Sequence, residues 1–150
     1  MKKISRILYA TDFSESSAPA AEYALSLAQL AGADIHVLHV IGELEDKRRG
    51  RIPPEAFELF EKEIEVHVIK EMDQFCRQHL GDEVRYTTET AIGKPFQVIL
   101  ATARSQNADL IIMGTHGRTG IEHVLMGSTA ERVARRSPIP VLTVPCRDEK

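Results

Sequence analysis

Five residues in the last third of the chain carry its strongest chemical signal. They are Gly114, Gly117, Gly127, Ser128 and Thr129, arranged as Gly114-x2-Gly117-x9-Gly127-Ser128-Thr129. Glycine has no Cβ, so backbone N–H groups beside it can approach an anion closely. The apolar run 108–113 leads into the first glycine, and a helix-like segment follows the last. A strand that delivers the chain to a glycine loop and then to a helix start suits phosphate binding. Tyr9-Ala10-Thr11-Asp12 ends another apolar run and offers a second polar cluster for the same crevice.

This chemistry is binding rather than covalent catalysis. No base stands beside Ser128 in the sequence, so it is not marked as a nucleophile. The GxxxxGK[ST] and GxGxxG phosphate motifs and the GxSxG elbow are all absent. His116 and His123 lie in or near the loop, but a metal site needs more ligands than these. No catalytic or metal-ligating residue is assigned. The structural alternatives are tight turns for the glycines and a turn cap for Asp12. His36 and His39 sit at odd spacing on one strand, so they face opposite sides and read as packing residues.

The elements that must position these groups alternate strand and helix. Strands are expected at 4–10, 34–41, 84–91, 109–114 and 141–144. The first is a nearly continuous apolar run, as in a parallel strand covered on both faces. Ser14, Ser16 and Ser17 offer caps for the first helix; Ser16 is preferred because it places Pro19 in the first turn. Gly32 ends that helix. Residues 42–51, with Lys47, Arg48, Arg49 and Arg51, form a polar connector expected to be mobile. Pro53-Pro54 opens a long helix with Phe57, Phe60, Ile64, Val68, Met72 and Phe75 at helical spacing, ended by Gly81. Pro95 starts a third helix with a buried stripe of Phe96, Ile99, Leu100 and Ala103. Ser128 is expected to cap the last helix, in a capping box with Glu131.

The resulting βαβαβαβαβ order implies a doubly wound α/β domain spanning 1–150. Its five-stranded parallel sheet has the expected order 3-2-1-4-5, with helices on both faces. Ligands bind such sheets beyond the carboxyl ends of the strands, where the strand order reverses.

Composition narrows the partners. The chain has 150 residues, is 43% hydrophobic and carries a net charge of −3. That balance argues against a nucleic-acid binder relying on a broad basic surface. No run approaches the length of a membrane span, and the short run 7–10 after Lys2, Lys3 and Arg6 does not suit a signal peptide. Cys76 and Cys146 are far apart and form no CxxC, as in a reducing compartment. A cytoplasmic location is expected.

The glycine spacing resembles the nucleotide-binding motif of the universal stress protein family. Residues 6–14, Leu38-His-Val40, 108–114 and 137–144 are similar to that family's first, second, fourth and fifth strand regions. The resemblance covers essentially the whole chain and points to the family's ATP-binding branch, with a Rossmann-like, adenine-nucleotide alpha-hydrolase-like fold. It implies that Val40 contacts the adenine, with Ala10 and Met113. Asp12 and Gly114 would lie beside the ribose or adenine. Gly117, Gly127, Ser128 and Thr129 would hold the phosphates, Arg118 would reach the terminal one, and Thr11 and His116 complete the candidate set. The implied ligand is ATP or AMP, with Mg²⁺ on the phosphates. A homodimer is expected through the apolar edge strand 141–144. The functional expectation is a stress-response regulatory module with an unknown protein partner and little or no hydrolysis. The alternatives are a slow ATPase or adenylyl transferase, or a nucleotide-free dimeric scaffold.

Overall fold

The computed structural model describes residues 1–42, 53–116 and 126–146. Its elements are β1 (Arg6–Ala10), α1 (Ala18–Ala31), β2 (Asp34–Gly42), α2 (Pro54–His79), β3 (Tyr86–Gly93), α3 (Pro95–Ser105), β4 (Leu110–Gly114), α4 (Ser128–Arg136) and β5 (Val141–Val144). All four strand pairings are parallel, in the order β3-β2-β1-β4-β5. The chain order reverses beside β1, so β1 and β4 are neighbours, with Ala10 level with both Leu38 and Met113.

Strand alternation divides the core into two layers. Ile7, Tyr9, Ile35, Val37, Leu110 and Ile112 face α1 and α2. Leu8, Ala10, Leu38, Ile111 and Met113 face α3 and α4. On the first side the fully buried residues of α1 are all small, Ala20, Ala21, Ala24 and Ala28, which let its backbone lie close to the sheet, while Leu25 and Leu27 pack at the margin. Fully burying a side chain such as Ile7 or Leu8 contributes about 1.5–3 kcal/mol.

Several element ends depart from the sequence reading. Strand β1 starts at Arg6 rather than at residue 4, although Ile4 still packs on the core. Strand β3 is displaced two residues, to Tyr86–Gly93, and β2 runs on to Gly42 to pair with it. Helix α1 is not capped by Ser16. Its flanking residue is Ser17, whose hydroxyl turns inward to Ser14 O and Thr11 Oγ1. Ser14 Oγ accepts the Ser17 N–H and so caps a turn upstream of the helix. Gly32 ends α1 with φ +66°, as expected, and the Ala33 N–H closes back on Ala28 O.

Two helical stripes also differ. In α2, Val68, Met72 and Phe75 are buried as the spacing predicts, but Phe60 is half exposed and nothing from 54 to 67 is buried. The spacing identifies the helix but not how far the sheet extends beneath it. In α3, Ile99 and Ala103 are buried, while Phe96 and Leu100 are only partly covered. The cationic connector residues Lys47, Arg48, Arg49 and Arg51 lie outside the described residues.

Candidate functional site

The carboxyl ends of β1, β2 and β4 and the N-terminus of α4 surround one cavity. The ten described members of the candidate set all line it: Ala10, Thr11, Asp12, Val40, Met113, Gly114, His116, Gly127, Ser128 and Thr129. Gly117 and Arg118 lie outside the described residues, as does His123. Ala10, Leu38, Val40, Ile99 and Met113, which pack in one cluster, make part of the lining apolar, and Thr11, Ser17, Thr115, Ser128 and Thr129 add hydroxyls to it.

The β1 side is held by short-range hydrogen bonds. The Thr11 N–H donates to Leu38 O at 3.0 Å, extending the ladder one residue past the strand. Thr11 Oγ1 lies 3.0 Å from Ser17 Oγ and accepts the Phe13 N–H. The Tyr9 hydroxyl donates to Ser17 O, and burial pushes its pKa far upward, so it stays a neutral donor. Asp12 lines the cavity and also takes the structural role considered for it, because its Oδ1 accepts the Ser14 N–H at 3.0 Å.

Phe13 follows with φ +65°, a conformation uncommon for a bulky side chain. Its ring stacks on His39 at 4.4 Å and tilts against Phe75 at 5.6 Å. His39 Nδ1–H in turn donates to Thr11 O. Across the sheet, His36 has one nitrogen 2.6 Å from Thr87 Oγ1 and the other 2.7 Å from Glu89 Oε2. Both histidines are therefore bonded packing residues on opposite faces, as their spacing implies.

The β4 side shows why glycine stands at 127. The Gly127 N–H donates to Thr115 O at 2.6 Å, closing the loop on itself. A Cβ at Gly127 would lie 3.0 Å from that same carbonyl oxygen. Gly114 is different: a Cβ there would meet His116 O, Ser16 O and Ser17 Cα at ordinary contact distances of 3.5–3.6 Å. The protein itself has no steric need for glycine at 114.

The expected capping box does not form. Gly127 is the N-cap, Ser128 is the first helical residue, and Glu131 pairs with Arg135 one turn on. A glycine cap has no side chain to satisfy the first free N–H groups of the helix. The N-terminus of α4 therefore meets the cavity with backbone donors, a partial positive charge and a Ser128 hydroxyl not used for capping.

Ser17 and Thr115 are cavity residues that the motif does not include, and both are buried. Ser17 looks like a helix cap in the sequence and carries no other mark. Leu38 was discoverable, since it lies two residues before Val40 and shares its face. Ile99 likewise lies one helical turn after Pro95.

The universal stress protein family model matches residues 3–145. The chain belongs to the universal stress protein family. Universal stress protein MJ0577 of Methanocaldococcus jannaschii is 30% identical over 151 residues, covering 93% of each chain. The solved structure of hypothetical protein MJ0577 superposes with a TM-score of 0.80 at 30% identity, covering 99% of this chain and all of that one. The same fold appears in a universal stress protein crystallised in complex with cAMP, at 23% identity, TM-score 0.66, over 97% and 100% of the two chains. It appears again in the universal stress protein from Archaeoglobus fulgidus in complex with dAMP, at 18% identity, TM-score 0.64, over 95% and 98%. Among the described residues, no helix is long and apolar enough to cross a membrane.

Proposed function

We propose that this universal stress protein is a cytoplasmic, stress-linked regulatory module that binds ATP or AMP at the β1–β4 crevice. The observation that carries the reading is the glycine-capped N-terminus of α4, which opens on the same cavity as an apolar wall. The wall formed by Ala10, Val40 and Met113 fits a base. The backbone N–H groups of Ser128 and Thr129 fit phosphate oxygens, as do the motif residues Gly117 and Arg118. Asp12 and Gly114 lie beside the sugar, and Thr11 and His116 shape the crevice between. Relatives of the same fold crystallised with cAMP and dAMP add support for an adenine nucleotide.

Mg²⁺ accompanies the phosphates and is held mainly by their oxygens and by water. The nucleotide acts as a signal rather than a fuel, with little or no hydrolysis. The working unit, a domain covering residues 1–150, is a homodimer. Its second copy pairs along β5, whose outer edge takes no strand among the described residues. The dimer engages a further protein according to nucleotide occupancy.

The test is a calorimetric titration of nucleotide-stripped protein with Mg-ATP, with ATP turnover followed on the same sample. Saturable binding near one site per chain with negligible turnover is expected. Absence of binding at millimolar ATP refutes the proposal and returns the chain to a scaffold role. Turnover lost in Gly127→Ala moves it to the enzymes.

A further inference from the structure

Helix α4 carries two arginines on the flank it turns toward α3. The guanidinium carbons of Arg132 and Arg136 lie 5.2 and 5.3 Å from the centre of the Phe96 ring, within cation–π range. Thr129, Arg132 and Arg136 are spaced i, i+3 and i+7, so they share this flank, while Ala130 and Val133 are buried beneath the helix. Both sides of the contact adjoin the cavity. Phe96 directly follows Pro95, and Arg132 stands one helical turn from Ser128; Pro95 and Ser128 both line the cavity. One turn rises about 5.4 Å, within the reach of an arginine side chain leaning toward the N-terminus of its helix.

No carboxylate answers these cations. Arg132 and Arg136 make no ion pair among the described residues, and neither does Lys94, the N-cap of α3 beside Pro95. The ion pair described on α4 joins Glu131 to Arg135 instead. Like charges at i and i+4 oppose a helix rather than support it, so the pairing of Arg132 with Arg136 does nothing for α4 itself. The chain as a whole carries a net charge of −3, and these three cations gather at one rim against that balance. Stacking on the ring engages the face of a guanidinium and leaves its N–H donors, which lie in the plane, available to an anion.

We propose that Arg132, braced on Phe96 with Arg136 behind it, is a specificity-determining residue that draws the cavity toward nucleotides carrying phosphate beyond the first. The proposal rests on the nucleotide reading of the cavity. The N–H groups of Ser128 and Thr129 suit one phosphate at the helix N-terminus. The Arg132 guanidinium adds a planar donor fork on the α3 flank, which suits a second. Phe96 is a positioning residue: it holds the guanidinium at the rim, so less side-chain freedom is lost when the anion arrives. The ligand chemistry is a second phosphate, carried either on the 5′ chain or on the ribose 3′ oxygen.

The test is calorimetric titration of the nucleotide-stripped full chain with AMP, Mg-ATP and adenosine 3′,5′-bisphosphate at fixed ionic strength. Arg132→Gln should weaken one or both of the more highly charged ligands by roughly tenfold, the loss of one charge-assisted bond, and AMP by less than about twofold. A loss confined to Mg-ATP places the second phosphate on the 5′ chain, and one confined to the bisphosphate places it on the ribose. Arg132→Lys keeps the charge without the fork and should fall between. Phe96→Leu should lose part of the same discrimination while AMP affinity holds. Arg132 is exposed, and matching thermal melts will show that each variant folds. Wild-type affinity for all three ligands in Arg132→Gln overturns the proposal, and so does an equal loss for all three. Unchanged discrimination in Phe96→Leu overturns the role given to the ring. If the wild-type chain binds none of the three, the nucleotide reading falls and takes this proposal with it.

Discussion

Replacing Gly127 by alanine is the most direct perturbation of the proposed site. The new Cβ would stand 3.0 Å from Thr115 O, a backbone atom that also accepts the 2.6 Å hydrogen bond from the Gly127 N–H. Neither atom belongs to a flexible side chain, so the backbone on one side of this hydrogen bond must give by a few tenths of an ångström. Overpacking of this kind costs about 1–3 kcal/mol. For a chain of this size that corresponds to a fall in Tm of roughly 2–4 °C per kcal/mol. Because Gly127 is the N-cap of α4, that shift is expected to move the first N–H groups of the helix relative to the cavity. Losing one hydrogen bond to a charged phosphate costs about 1.5–3 kcal/mol, or roughly ten- to a hundredfold in Kd. Gly114→Ala is the internal control. Its Cβ meets only ordinary contacts, so the free protein should keep its Tm while affinity falls where the ligand approaches that backbone. Differential scanning calorimetry and titration with Mg-ATP read both quantities. Wild-type Tm and Kd in Gly127→Ala would refute the argument that the Thr115 carbonyl dictates glycine there.

Three further outcomes follow from the packing and the protonation state. Asp109 accepts the Ser5 and Arg6 N–H groups, and these bonds, Ser5 first, lower its pKa below the usual 3.8. Because the folded value is the lower one, its stabilisation is present above 3.8 and lost as pH falls through the folded value. Asp109→Asn should cost less than about 1 kcal/mol at neutral pH, given its contact with solvent, and should flatten the acid limb of a stability–pH profile. Burial raises the Cys76 thiol pKa to about 11, whereas Cys146 is exposed. Ellman's reagent at pH 8 should label one thiol quickly in the native protein and the second only on unfolding. Phe13→Ala removes the stack on His39 and Phe75 without relieving the positive φ. It should cost about 2–3 kcal/mol by urea denaturation, since the ring is only partly buried, and Phe13→Gly should cost less than Phe13→Ala.

The order of elements and the carboxyl ends of β1, β2 and β4 were legible in the chain itself, because apolar runs, proline and glycine act locally on the backbone. The glycine spacing and Asp12 marked one crevice from both sides for the same reason. The reversal of strand order beside β1 then brought Ala10, Val40, Met113 and Ser128 to a single cavity. Local pattern did not reveal which hydroxyl caps which turn. Ser17 turns inward because Thr11 and Ser14 are there to meet it, and Gly127 displaces Ser128 from the cap because Thr115 O takes its N–H. Nor did helical spacing show where coverage of α2 ends, since Phe60 and Val68 carry the same apolar signal and only Val68 is buried. A side chain's burial depends on atoms contributed by distant segments, and a hydroxyl's partner depends on how the turn around it packs against them. Those choices were made only when the tertiary structure brought the segments together.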